Sequence, residues 1–279
     1  MIRACVIGWP VAHSRSPLIH GYWLRSMGID GAYGKVPVEP GQLADFIASL
    51  GTNGYAGCNV TLPHKEEVFR LVTVADEQTA RLGSLNTVYR EGGRTFGMST
   101  DGFGFMANLR STLPSLDLRN RKAVILGAGG SAAVIAGVLQ DAGVSEIAVA
   151  NRSLVRAQAL ADRFGPAIKP VDWERRASSL AEATLLVNTT SLGMSGQPPL
   201  AIDLSALPQE AAIADIVYTP LVTDLLVAAR HRGHAIVPGL GMLLHQAVPG
   251  FEKWFGQRPV VTAALYDLAA RDIDPDYRP

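Results

Sequence analysis

Two groups of residues have the types and spacing to do chemistry. The first is Gly127-Ala128-Gly129-Gly130-Ser131-Ala132, which follows the apolar run Ala123–Leu126 and precedes a helical pattern. Glycines at such a strand-to-helix turn let the backbone approach a pyrophosphate, whose charge is met by the free N–H groups of the helix N-terminus; Ala132 takes the third small position. One strand later, where an NAD site places an acidic side chain for the ribose, the chain reads Ala150-Asn151-Arg152-Ser153, with Arg156 beyond. Two guanidinium groups and no carboxylate suit a 2′-phosphate, so NADP is expected rather than NAD; a pair of solvated arginines is the plainer alternative.

The second group centres on Lys65 in Thr61-Leu62-Pro63-His64-Lys65-Glu66-Glu67. With Pro63 as the first helical residue, Lys65 falls in a first turn, where the dipole disfavours a cation and, with partial burial, lowers its pKa towards the proton-exchanging range. A surface lysine paired with Glu66 or Glu67 is the bland reading. Asp101, in Ser99-Thr100-Asp101-Gly102, is the natural counterpart of Lys65 or a plain helix cap. Asn86-Thr87 opens the hairpin that ends there, and strand ends feeding a cleft between domains are where a small polar substrate is gripped.

These residues need elements to position them. In the middle of the chain, strand patterns at Ala123–Leu126, Glu146–Ala150, Thr184–Asn188, Ile213–Val217 and His234–Val237 alternate with helical patterns at Ser131–Ala142, Ser153–Phe164 and Thr219–Arg232. That order predicts a parallel sheet covered by helices. Towards the N-terminus, Arg3–Ile7 reads as a strand, Ser16 as the cap of a helix with Pro17 at its first position and Gly28 beyond its end, Gln42–Leu50 as a helix and Tyr55–Val60 as a strand. Asn86–Arg90 and Arg94–Met98 flank Gly92-Gly93, which suits a tight hairpin turn. The expected organisation is a domain over residues 1–104, a dinucleotide-binding domain over 105–238, and C-terminal helices over 239–279 that pack back on the first.

Composition bounds the rest. The 279 residues carry 25 Lys+Arg against 25 Asp+Glu, with 48% hydrophobic and 18% charged residues. A neutral balance argues against nucleic-acid or membrane-surface binding. The stretch Ala123–Gln140 has no charge, but its clustered glycines read as strand, turn and helix rather than a membrane span. Cys5 and Cys58 form no disulfide framework and no zinc motif, so a reducing, cytoplasmic setting fits; both read as small core residues. His13, His20, His64 and His245 are scattered without metal spacing and read as structural or wall residues.

From Val6 to Gly256 the chain resembles the shikimate dehydrogenase family. The resemblance is carried by Ala12-His13-Ser14-Arg15-Ser16-Pro17, Asn59-Val60-Thr61-Leu62-Pro63-His64-Lys65, Leu85-Asn86-Thr87, Thr100-Asp101-Gly102, Gly127 to Ala132, Asn151-Arg152-Ser153, Asn188-Thr189-Thr190-Ser191 and Gly239-Leu240-Gly241-Met242. It implies a Rossmann-like doubly wound parallel sheet domain beside an α/β substrate domain, acting as monomer or homodimer. The activity implied is NADP-linked reduction of 3-dehydroshikimate to shikimate, in aromatic amino acid biosynthesis. By the same resemblance Lys65 and Asp101 are the catalytic pair. Ser14 and Ser16 hold the substrate carboxylate, Thr61, Asn86, Asp101 and Gln246 its ring hydroxyls, and Tyr218 closes the pocket. Gly127, Ala128, Gly129, Gly130, Ser131 and Ala132 take the pyrophosphate, and Asn151, Arg152, Ser153 and Arg156 the adenosine 2′-phosphate. Ile216 and Gly239 match positions near the nicotinamide, and Glu77 a cofactor-side position.

Three positions depart from the family pattern: Ser99 stands where Asn is usual, Ser84 where Ala is, and Ile216 where Met is. None removes a catalytic group, but they leave open a quinate or quinate/shikimate dehydrogenase, or a paralogue acting on a related cyclic hydroxy acid. A non-catalytic NADP-binding regulator is the alternative of another class, and the presence of both Lys65 and Asp101 argues against it.

Overall fold

The computed structural model describes residues 1–279. The chain divides into two compact units, Met1–Asp101 with Leu244–Ala269, and Gly102–Leu243 with Ala270–Pro279. The divisions thus fall at Asp101/Gly102 and Leu243/Leu244, and the last ten residues go with the second unit. No helix is long and apolar enough to cross a membrane.

The first unit begins β1 (Ile2–Gly8), α1 (Ser16–Ser26), β2 (Gly31–Pro37), α2 (Leu43–Ser49), β3 (Tyr55–Val60), β4 (Thr73–Val74), α3 (Glu77–Leu82), β5 (Thr87–Glu91) and β6 (Arg94–Met98). Its six-stranded sheet has the order β2-β1-β3-β5-β6-β4. The first three strands run parallel, and β5 pairs antiparallel with both β3 and β6. The β5–β6 turn uses Gly92 at φ 58° and Gly93 at φ 79°, the left-handed values the sequence required. Alternation along β1 and β3 sends Cys5, Ile7, Cys58 and Val60 into a core with Leu43, Ile47 and Leu50 of α2.

Next come α4 (Asp101–Thr112), β7 (Lys122–Leu126), α5 (Gly130–Asp141), β8 (Glu146–Asn151), α6 (Leu154–Phe164), β9 (Ile168–Asp172), β10 (Ala183–Asn188), β11 (Ala212–Asp215), α7 (Asp224–His231) and β12 (Ala235–Val237), then α8 (Leu240–Phe255) and α9 (Ala263–Ile273). The second sheet is wholly parallel, in the order β12-β11-β10-β7-β8-β9. This is the doubly wound Rossmann-like arrangement, and its strand order reverses between β7 and β10, the kind of switch point at whose carboxyl-end side such sheets bind their ligands. Leu126 pairs with Asn188 across that point.

In the first unit, Leu244–Ala269 packs on the sheet. Trp254 Nε1 of α8 donates to the Val88 carbonyl at 2.9 Å. Gly57 makes room for it: a Cβ there would lie 2.2 Å from both Trp254 Nε1 and the Val88 oxygen. His20, Trp23, Tyr33, Phe251 and Trp254 form one aromatic cluster, with His20 stacked on Tyr33 at 4.0 Å between centroids.

Several local expectations are corrected. The α-helix expected from Pro63 is a run of turns ending in a 3-10 helix over Val68–Arg70. Arg15, not Ser16, occupies the cap position of α1, with Ser16 its first residue. The α7 helix starts at Asp224 rather than near Pro220, because Thr223 takes the extended N-cap backbone at φ −76°, ψ 162°. Strands β2, β4 and β9 escaped the sequence reading; all three are sheet edges, where no two-sided burial enforces an apolar pattern.

Candidate active site

In the first unit, β1, β3 and β5 bring polar side chains to one region. The Lys65 ammonium donates to Asp101 Oδ2 at 2.7 Å, and the two side chains are 32% and 22% exposed. The other Asp101 oxygen, Oδ1, accepts from Asn86 Nδ2 at 2.7 Å. That amide also reaches Gln246 Oε1 of α8 at 3.1 Å. Asn86 Oδ1 is in turn fixed by the Thr100 backbone N–H at 2.8 Å. The Lys65 carbonyl accepts from Leu85 N at 3.0 Å, tying the turn that carries the lysine to the start of the hairpin. Lys65 therefore lies in a run of turns rather than in a helical first turn; a carboxylate and the backbone tie at Leu85 place its ammonium.

Ser14 and Ser16 lie together, Ser14 Oγ donating to Ser16 Oγ at 3.2 Å and accepting from Ser16 N at 3.3 Å. Thr61 leaves β3 with its N–H on the Ile7 carbonyl at 2.9 Å. Its methyl group would be 2.4 Å from a Cβ at Gly8, so that glycine is needed for the two strand ends to lie flush.

Two residues that the sequence reading gave no role join these groups. Tyr33 hydrogen-bonds Ser16 and donates to Asn59 Oδ1 at 2.5 Å. Asn59 Nδ2 then donates to the Asn86 carbonyl at 3.2 Å and to Thr87 Oγ1 at 3.1 Å. Burial holds the Tyr33 phenol well above its ordinary pKa, so it stays a donor. The available signal for Asn59 was a lone amide inside an otherwise apolar strand, since a buried amide must be partnered. His20 is kept neutral, its pKa lowered by burial to about 3. His64 Nε2 meets the Val38 carbonyl at 2.7 Å. His245, half-buried, also has its pKa lowered by burial. Burial raises Cys5 to about 12 and Cys58 upward too, which makes both thiols poor nucleophiles. Both are free.

In the second unit, Gly127 leaves β7 at φ +105°. A Cβ there would meet Thr189 Oγ1 at 2.7 Å, so both conformation and space demand glycine. Gly129 is the N-cap of α5, which has no side-chain cap and no acidic residue in its first turn. A Cβ at Gly129 or Gly130 would meet no protein atom within 4 Å. Nothing inside the fold calls for bare backbone at those two positions, whereas a pyrophosphate lying on the helix N-terminus does. Ala128 is half-buried, Ser131 exposed, and Ala132 fully buried where α5 closes on the sheet.

Asn151 ends β8 and donates to the Ser153 carbonyl at 2.9 Å. Ser153 is the N-cap of α6, whose first turn has no acidic residue. Arg152 precedes that cap, so it is not helical, while Arg156 is the third helical residue; both are exposed. Two cations at a helix start that lacks a side-chain cap hydrogen bond oppose the dipole unless an anion lies there. The residues present fit NADP.

Ile216 follows β11 with its N–H on the Asn188 carbonyl at 3.1 Å, and Tyr218 is half-buried two residues on. Gly239 packs against this segment, for a Cβ there would lie 2.5 Å from the Ile216 oxygen and 2.6 Å from that of Val217. Glu77 belongs to the first unit, exposed in the first turn of α3, where a negative charge suits the dipole.

Comparison with known proteins agrees with this geometry. Residues 6–88 match the shikimate dehydrogenase substrate binding domain, residues 109–195 the shikimate/quinate 5-dehydrogenase model, and residues 239–263 the shikimate 5′-dehydrogenase C-terminal domain. The shikimate dehydrogenase (NADP(+)) of Rhodopseudomonas palustris strain TIE-1 is 54% identical over 98% of this chain and 97% of its own length. Shikimate 5-dehydrogenase of Thermus thermophilus, solved with NADP(H) and shikimate, aligns at TM-score 0.85 with 34% identity, covering 98% of this chain and 100% of that one. Quinate dehydrogenase of Corynebacterium glutamicum, solved with NAD, aligns at TM-score 0.88 with 33% identity over 96% of this chain and 98% of that one. Motifs, fold and relatives converge: the chain belongs to the shikimate dehydrogenase family.

Proposed function

We propose that this protein is an NADP-dependent shikimate dehydrogenase, catalysing the reversible reduction of 3-dehydroshikimate to shikimate. The observation that carries the reading is the Lys65–Asp101 pair at 2.7 Å, with Asn86 on the second carboxylate oxygen. Bound NADPH supplies the hydride. Reduction of a carbonyl leaves negative charge on its oxygen, and the Lys65 ammonium stabilises that charge and donates the proton. Asp101 fixes the ammonium and accepts a substrate hydroxyl, and Asn86 and Gln246 offer amides to the others. Ser14 and Ser16 receive the carboxylate, Thr61 a ring hydroxyl, and Tyr218 closes over the substrate. Arg152 and Arg156 bind the 2′-phosphate, and the Gly127–Ala132 turn the pyrophosphate. Free, buried Cys5 and Cys58 support a reducing, cytoplasmic setting.

The test is an NADP+ reduction assay on purified protein with shikimate and quinate side by side, repeated with NAD+. Shikimate with NADP+ is the combination expected to give the highest kcat/KM. Comparable values for quinate would replace this reading with a dual-substrate enzyme, and no turnover of either would leave a non-catalytic NADP-binding protein.

A further inference from the structure

The polar groups at the carboxyl end of β11 have no part in the reading above. Asp215 is 2% exposed. Its Oδ1 accepts from Asn188 Nδ2 at 2.9 Å and from Val217 N at 3.0 Å, and its Oδ2 accepts from Thr223 Oγ1 at 2.7 Å. Its three partners come from separate segments: the end of β10, the turn after β11 and the N-cap of α7. All of them are neutral donors. Burial pushes the carboxyl up to about 6, and the three hydrogen bonds only partly offset it.

A carboxylate buried without a cation is costly, so its presence calls for something that it does. What it does geometrically is gather chain. Val217 N is pinned by Asp215, and Gly239 is fitted against the Ile216 and Val217 carbonyls. Asn188 closes a second turn, Oδ1 accepting from Thr190 N at 3.0 Å and Thr190 Oγ1 at 2.8 Å. Next to it Thr189 Oγ1 donates to the Leu126 carbonyl at 2.7 Å, beside Gly127. Through the adjacent residues Asn188 and Thr189, these hydrogen bonds link Leu126, which leads into the pyrophosphate turn, to the Ile216–Tyr218 segment.

We propose that Asp215 is a positioning residue: with Asn188 and Thr223 it holds the Ile216–Tyr218 segment in register with the pyrophosphate turn, so that the nicotinamide end of the cofactor is presented in one orientation. This rests on the dinucleotide reading given above. Asp215 touches no reacting atom in that reading and acts only through the segment it holds. The adenosine end, gripped by Arg152 and Arg156 beyond β8, does not depend on it.

The experiment uses the full chain with Asp215→Ala, Asp215→Asn and Thr223→Val. Measurements are kcat per titrated NADP+ site, the primary isotope effect with NADPH deuterated at the transferred position, and the affinity for adenosine 2′,5′-bisphosphate. Asp215→Ala should lower kcat per site at least tenfold, with an isotope effect no smaller than that of the unmodified enzyme and bisphosphate affinity within twofold. Asp215→Asn keeps one oxygen for Val217 N and offers its amide to the Thr223 hydroxyl, so it should stay within about threefold of the unmodified enzyme. A purely structural role would reduce the number of sites but leave kcat per site unchanged, and that result overturns the inference. Should Asp215→Ala not fold, Thr223→Val carries the test: a severalfold fall in kcat per site supports the inference and an unchanged value overturns it. An unmodified chain that turns over neither shikimate nor quinate with NADP+ removes the functional reading, and the inference with it.

Discussion

Asp101 divides its two carboxylate oxygens between Lys65 Nζ and Asn86 Nδ2, each at 2.7 Å. The lysine is thereby aimed by a group that is itself aimed, since the Asn86 amide oxygen is held by the Thr100 backbone N–H at 2.8 Å. A positioned proton donor contributes about 10² to 10⁴ in rate. Lys65→Ala should therefore lower kcat by that range while KM for shikimate changes much less. Near-normal turnover in a folded Lys65→Ala protein would take the lysine out of the mechanism.

Cofactor choice should follow from Arg152. Arg152→Ala is expected to raise KM for NADP+ well above its effect on NAD+, because only the former carries the adenosine 2′-phosphate that a guanidinium there would pair with. Parallel losses with the two cofactors would mean that the arginine serves something other than the 2′-phosphate.

Substrate preference tests the paired serines. Shikimate carries its carboxylate on a planar ring carbon, whereas quinate has a tetrahedral carbon and a further hydroxyl, so the carboxylate leaves at another angle. Two short hydroxyls, 3.2 Å apart, have little reach to follow it. Missed hydrogen bonds to a charged group cost about 1.5–3 kcal/mol each, enough for a tenfold preference. Ser14→Ala and Ser16→Ala should each raise KM for shikimate and narrow the preference, with NADP affinity intact; an unaltered shikimate/quinate ratio would count against them.

The buried carboxyl of Asp215 makes stability depend on pH. Its pKa is raised from an ordinary 3.8 to about 6 in the folded chain, so the unfolded chain gives up this proton first as pH rises. The contribution is present in full below pH 3.8 and lost as pH rises through about 6, on the order of 3 kcal/mol in all. Asp215→Asn does not titrate, so relative to the unmodified protein it should gain stability between about pH 4 and 7. Urea titrations across that window that showed a constant difference would contradict the assignment.

Gly57→Ala should be among the more damaging single-methyl additions, because its Cβ would stand 2.2 Å from both Trp254 Nε1 and the Val88 oxygen. Overpacking of this kind typically costs about 1–3 kcal/mol. Denaturant midpoints compared with the unmodified protein measure it directly.

How far the sequence could be read depended on whether the determinant was local. The Gly127–Ala132 turn carries its reason in six consecutive residues, and the structure shows a strand before it and a helix after it. Lys65 was singled out by an argument that does not survive, since the expected helix is a set of turns and the ammonium is placed by Asp101, 36 residues away. Edge strand β2, with two glycines and a terminal proline, gave no alternation to read. Asp215 carries no local signal of its role, because its partners Asn188 and Thr223 lie 27 and 8 residues from it. Such pairings belong to the tertiary structure and leave no periodic trace in the chain.

The docking of Trp254 against Gly57 and Val88 also bears on the order in which the protein is made. The first unit draws on both ends of the chain, Met1–Asp101 and Leu244–Ala269, and its aromatic cluster needs Phe251 and Trp254 from the later piece. The second sheet is complete by Val237. On the ribosome, then, the earlier segment must wait for the later one, while the sheet encoded between them has all its strands available sooner. Gln246 rides on the same late helix and accepts from Asn86, so the growing chain completes the hydrogen bonds around Asp101 only when that helix emerges.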